Sequence, residues 1–215
     1  MEIKKYQGKI IGIIGEIKLD FEIIKDDLEK IDFTETIYHR MIYEIYRRSL
    51  IIKDYNKKIK DSLKIVDLKV ELDRSINTLS ESEKKKLQLA INLLENPNVI
   101  VLEEPFKKLD LIQEKKMMRL FNKLKEEYNK TIIFISNNTN MLYENTDEVL
   151  IYKNNKLVKE GSTKEILENV EYLEKSKINI PDIVEFTHLA KSKYNVKIDY
   201  HRDIRDIIKD IYKHV

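Results

Sequence analysis

The chain has 215 residues, 42% of them hydrophobic, with 40 basic against 38 acidic side chains and a net charge of +2. That length suits one large domain or a domain with a small addition, and near-balanced charge argues against a dedicated nucleic-acid binder, whose affinity comes from a basic excess. The absence of cysteine excludes disulfide staples, thiolate catalysis and cysteine-ligated metals.

The first 18 residues contain an apolar run too short for a membrane span and broken by Gly12 and Gly15. No small-residue cleavage site follows, so a secretory signal is not expected. No later stretch is long enough to cross a bilayer, so membrane association is expected through a protein partner, without direct insertion. Residues 9–14 read as a buried strand, and the alternation Ile17, Leu19, Phe21, Ile23 predicts a second strand. From about Glu35 the period becomes helical, through Ile37, Met41, Ile42 and Ile45, then Tyr55, Ile59 and Leu63.

Ser80 opens the next helix, with Glu83 completing an S-x-x-E capping box. Leu87, Ala90, Ile91 and Leu94 form its apolar stripe, and Asn96-Pro97-Asn98 ends it. Val99 to Leu102 is a short continuous apolar run, as in a strand covered on both faces. A helix with Ile112, Leu120, Phe121, Leu124 and Tyr128 follows, then an apolar strand at 131–136 and a hairpin turning at Asn154-Asn155. Alternating helices and buried strands imply an α/β fold with a parallel sheet. Residues 163–215 read as mostly helical.

The ordered segments LSESEKKK, VIVLEEP, KKLD and TIIFISNN, followed by DEVLIYKNNKLVKEGSTKEIL, resemble the signature helix, Walker B strand, D-loop, switch and closing hairpin of ATP-binding cassette (ABC) ATPases. The resemblance covers residues 75–167 closely and 1–74 loosely. LEKSKINIPDIVEFTHLAKSKYNVKI resembles the carboxy-terminal extension of energy-coupling factor (ECF) transporter ATPases, which in that family helps two ATPases dimerise, and ETIYHRMIYEI resembles the segment after the family's Q-loop. The resemblance implies a P-loop-type ATPase domain over 1–167, with a helical subdomain at about 35–95 and an α-rich dimerisation appendage at 168–215. It also implies Mg-ATP as the family cofactor, a second ABC ATPase subunit and a transmembrane T component as partners, and a cytoplasmic location on the inner face of the cell membrane.

The residues that should contact nucleotide depart from the family pattern. A P-loop needs glycines whose N–H groups cradle phosphates, a lysine, and Ser/Thr for magnesium. Here Gly15 is followed by Glu16, Ile17 and Lys18, so that Lys18 corresponds to a remnant lysine while Leu19 and Asp20 replace the Ser/Thr pair. An alternative alignment puts this segment on the strand before the Q-loop, and neither alignment yields that loop's glutamine. At the signature, Ser80 remains, but Glu81 and Ser82 replace glycines and Glu83 replaces glutamine. Each carboxylate beside a triphosphate repels it by roughly 1–4 kcal/mol. Glu103 stands at the magnesium-linked aspartate position, Glu104 matches the catalytic glutamate that polarises water, Asp110 matches the D-loop aspartate, and Asn137 replaces the switch histidine. His39, His188, His201 and His214 show no ligand spacing, so no structural metal is expected.

Three functions compete at this level. One is a degenerate ATP-binding subunit of an ECF-type importer that pairs with an intact ATPase. A second is a working ATPase half built around Gly15 and Lys18 that drives uptake of a vitamin or metal ion. The third is a soluble regulatory or interaction protein on the same fold.

Overall fold

The computed structural model describes residues 3–17, 23–24, 35–194 and 198–213. Strand β1 is Ile10–Ile14, β-branched at every position but Gly12 and buried throughout. Strand β2 is Ile23–Ile24. Helices α1 (Ile37–Arg47) and α2 (Tyr55–Ile65) start where Thr36 and Asp54 accept hydrogen bonds from the N–H groups three residues on. Helix α3 (Glu81–Leu93) begins at Ser80 with the anticipated capping box. Asn96, at φ +54°, follows its end. Strand β3 is Val99–Glu103, its three central residues buried. Helix α4 (Leu111–Tyr128) is capped by Asp110 and closed by left-handed Asn129. Strand β4 (Thr131–Ile135), helix α5 (Thr139–Asn145), and strands β5 (Glu148–Lys153) and β6 (Lys156–Ser162) come next. Helices α6 (Thr163–Leu167), α7 (Val170–Ser176), α8 (Asp182–Tyr194) and α9 (Ile204–Lys213) complete the chain.

Two compact units result. The first combines Met1–Asp20 with Thr131–Val215, and the second is Phe21–Lys130. In the first, β1 lies between β4 and β5, parallel to both, with Ile11 opposite Ile133 and Glu148. The antiparallel β5–β6 hairpin turns on Asn154 and Asn155, both left-handed at φ +53° and +61°, as the type I′ turn requires. Behind the hairpin, Thr146 and Thr163 join buried hydroxyls at 2.9 Å, and the Tyr143 hydroxyl donates to Glu168 at 2.7 Å. Val184 of α8 and Ile207 of α9 are buried within this unit.

In the second unit β2 pairs parallel with β3. The core of α1–α3 is made by Met41, Ile45, Ile59, Leu63, Leu87 and Ala90. One carboxylate, Glu44, is buried among them and meets Arg40 at 3.0 Å, Arg47 at 2.6 Å and Arg48 at 3.2 Å. A lone buried carboxylate would be costly, and three guanidinium partners offset that cost.

Two details differ from the sequence reading. In α4, Ile112 and Tyr128 are 68% and 39% exposed, because the buried stripe is Met117, Leu120, Phe121 and Leu124 and both residues sit in end turns off it. Ile17 lies outside any strand, and the rest of the anticipated 17–24 strand falls outside the described residues except β2.

Candidate functional site: two backbone amide clusters

Parallel pairing aligns the carboxyl ends of β1 and β4 on one edge of the first unit, where α/β folds place ligands. Gly15 and Asn137 leave those strands and meet there: the Gly15 N–H donates to Asn137 Oδ1 at 3.3 Å. Gly15 has φ +99°, and a Cβ on it would lie 2.1 Å from the Tyr152 carbonyl oxygen, so glycine is required by the backbone alone. The Asn137 loop is fixed from behind: Ser136 N–H donates to the Ile13 carbonyl at 3.0 Å, and Ser136 Oγ accepts from Asn138 N–H at 3.0 Å. Asn138 then caps α5 through Met141 N–H at 3.1 Å.

Asn137 to Asn140 form one wall of an open cleft of about 560 Å³, and Ile178 to Glu185 form the other. The Asp182 N–H donates to Asn140 Oδ1 at 2.7 Å across it. The lining includes Asp182 and Glu185 and neither lysine nor arginine, which disfavours a polyphosphate. Glu16 is exposed, whereas Lys18, Leu19 and Asp20 lie outside the described residues. Eight residues separate Ile14 from Ile23.

In the second unit, the N-terminus of α3 is closed on itself. Ser80 N–H and Oγ both donate to Glu83 Oε2 at 2.9 Å, and Ser80 Oγ accepts from Glu83 N–H at 3.3 Å. The Ser80 backbone N–H holds the Glu83 carboxyl below its ordinary range against the opposing effect of burial, with help from the Ser80 hydroxyl and Arg74. Arg74 reaches Glu83 at 3.1 Å and Thr78 Oγ at 3.0 Å. Glu81 pairs with Lys84 at 3.0 Å and Lys108 at 3.9 Å, so its charge is partly neutralised within the unit. That weakens the repulsion anticipated for Glu81. Asp110 accepts from Gln113 N–H at 2.8 Å while Gln113 accepts from Asp110 N–H at 3.1 Å, a second capping box that fixes the D-loop-like turn.

Glu103 is exposed at the end of β3. Glu104 follows at φ +45°, a left-handed conformation unusual for a glutamate. Among the described residues no three His, Cys, Asp or Glu side chains gather as a metal site. The structure thus brings Gly15 to Asn137, and joins Ser80 to Glu83 as the sequence led one to expect. Arg74, Lys108 and Gln113 were not anticipated. Only Gln113 carried a readable signal, the D-x-x-Q spacing from Asp110.

No family model matches the sequence. A putative ABC transporter ATP-binding protein of Pyrococcus abyssi is 29% identical over 182 residues, 83% of this chain and 65% of that protein. The energy-coupling factor transporter ATP-binding protein EcfA2 of Mycoplasma capricolum is 33% identical over 194 residues, 89% of this chain and 63% of that protein. The chain therefore spans less than two-thirds of the length of either relative. Among solved structures, cbiO1 of Clostridium perfringens, part of the ABC transporter complex cbiONQ, superposes with a TM-score of 0.64 at 18% identity, covering 85% of this chain and 88% of that one. With its strands in the parallel α/β arrangement described above, the chain has the fold of an ABC ATPase domain, and its homologues are ABC-transporter ATP-binding proteins, energy-coupling factor subunits among them.

Proposed function

We propose that the chain is a non-hydrolysing ATP-binding-cassette subunit of an ECF-type importer, which pairs with an intact ATPase and docks on a transmembrane component at the inner face of the cell membrane. One observation carries the reading. At each position where the family would hold phosphate, backbone N–H groups are taken by this chain's own side chains: that of Gly15 by Asn137, and those of Ser80 and Glu83 by each other's side chains. An anion site at a helix start depends on free N–H groups.

The residues fit Mg-ATP poorly. Carboxylates stand at Glu16, Glu81 and Glu83, and Asn137 carries no positive charge. No step is therefore routed through Mg-ATP in this chain, and Glu104 is read as a vestige of the water-polarising glutamate. Pairing is supported by the tail, where Ile204, Ile208 and Tyr212 of α9 form an exposed stripe at helical spacing and Phe186 and Leu189 of α8 are exposed as well. Docking on a membrane component is supported by the likeness to EcfA2 and by the exposed Tyr43 on α1.

Titration calorimetry of the purified chain with Mg-ATP tests the reading. The expected result is no binding at millimolar nucleotide. Micromolar binding strengthened by Glu104→Gln, or turnover abolished by Lys18→Ala, would overturn it in favour of an active ATPase half.

A further inference from the structure

The charge of the chain is unevenly placed. Between Ile51 and Lys64 five lysines stand against two aspartates, an excess of three, whereas the whole chain carries only +2. Lys57, Lys60 and Lys64 recur at spacings of three and four on α2, so they share one face, and Lys53 precedes the helix by the same step. All four are exposed, and none has an ion-pair partner among the described residues. Asp61 borders the stripe without pairing to it, and Asp54 is occupied as the cap of α2, accepting from Lys57 N–H at 2.9 Å.

At the head of this stripe the turn between α1 and α2 carries Leu50-Ile51-Ile52. Ile51 is fully exposed, while its two neighbours are partly covered. Tyr46, 65% exposed, flanks the turn with its ring 5.9 Å from that of Tyr55. At the other end the stripe borders an open cleft of about 580 Å³, lined by Lys60, Lys64 and Lys69 together with Asp67, Glu71 and Asp73.

We infer that this face of the helical unit binds the anionic surface of a lipid bilayer directly. The lysines lie over the headgroup phosphates, and Ile51 enters the interfacial layer. A lysine stripe headed by an exposed aliphatic side chain and a tyrosine matches an interface that is charged outside and apolar just below. A nucleic acid would match the charge but offers no apolar layer for Ile51, and the lysine stripe of α2 contains no arginine. The contact is interfacial and requires no spanning segment. It adds a direct component to the membrane association expected only through a protein partner.

The test is co-sedimentation of the full chain with vesicles of phosphatidylglycerol and phosphatidylcholine, against phosphatidylcholine alone. Binding is expected only to the anionic vesicles and should fall with added salt. Neutralising Lys57, Lys60 and Lys64 together to Gln is expected to weaken it roughly a hundredfold, about fivefold per charge. Ile51→Ser should weaken it about tenfold, with the thermal transition of each variant confirming a folded chain. Equal sedimentation with both vesicle types, no binding to either, or unchanged binding by the folded triple variant would overturn the proposal. So would tight binding of single-stranded RNA without vesicle binding. No partner subunit takes part, so failure here leaves the pairing reading untouched.

Discussion

Two backbone positions, one in each unit, carry opposite demands. Gly15 sits where any Cβ would collide with the Tyr152 carbonyl, and Glu104 holds a left-handed φ without the glycine that such a conformation favours. A left-handed L-residue costs about 1–2 kcal/mol. Glu104→Gly is therefore expected to raise stability by about 1 kcal/mol, or about 2–4 °C in Tm for a chain of this size. Gly15→Ala is expected to lower stability by at least about 2 kcal/mol. Thermal denaturation reads both, and a Glu104→Gly variant no more stable than wild type would show that the φ at this position costs nothing. The sequence named both residues but gave them chemical roles. Their geometric reasons were hidden because φ and the approach of Tyr152 depend on contacts far along the chain.

At the scale of elements, local chemistry explains what could be read in advance. The S-x-x-E box of α3, the apolar strands β1, β3 and β4, and the Asn-Asn hairpin all depend on neighbours within a few residues, and each appears where the sequence placed it. The arginine cluster around Glu44 was invisible, since its meaning rests on burial that α1 acquires only against α2 and α3. Burial alone would raise the Glu44 carboxyl, but hydrogen bonds from Arg47 and Arg48 and the charge of Arg40 hold it below its ordinary 4.5. A depressed folded value means that this stabilisation is fully present above about pH 4.5 and lost as pH falls through the lower folded value. Urea denaturation followed from pH 6 downward should therefore show stability falling below about pH 4.5, with Glu83 contributing in the same direction. Glu44→Gln should cost about 3 kcal/mol at neutral pH and flatten part of that decline. An unchanged pH profile in the variant would remove Glu44 as its source.

Over the whole molecule, the second unit is an insertion: residues 21–130 interrupt a first unit whose parts lie on either side. The first unit depends on pairings of long sequence separation, Ile10 with Ile132 and Ile11 with Glu148, whereas α1, α2 and α3 meet over far shorter spans. Contacts of high separation form late because closure entropy precedes their reward. In pulsed hydrogen-exchange refolding, amides of α1–α3 should gain protection before those of β1. Simultaneous protection would mean that the two units fold as one. None of this order is legible from periodicity, which shows that β1 is a strand but not that its partners lie more than a hundred residues away.

The place of β1 between β4 and β5 has a consequence during synthesis. An Ile-Ile-Gly-Ile-Ile segment is synthesised more than a hundred residues ahead of its partner strand and waits for Thr131 onward before either flank can be covered. At about 5–20 residues per second the delay is roughly 6–25 s. Throughout it the most apolar strand of the first unit has bare edges, so the nascent chain presents a sticky segment that a chaperone, or the early docking of another chain, would have to shield.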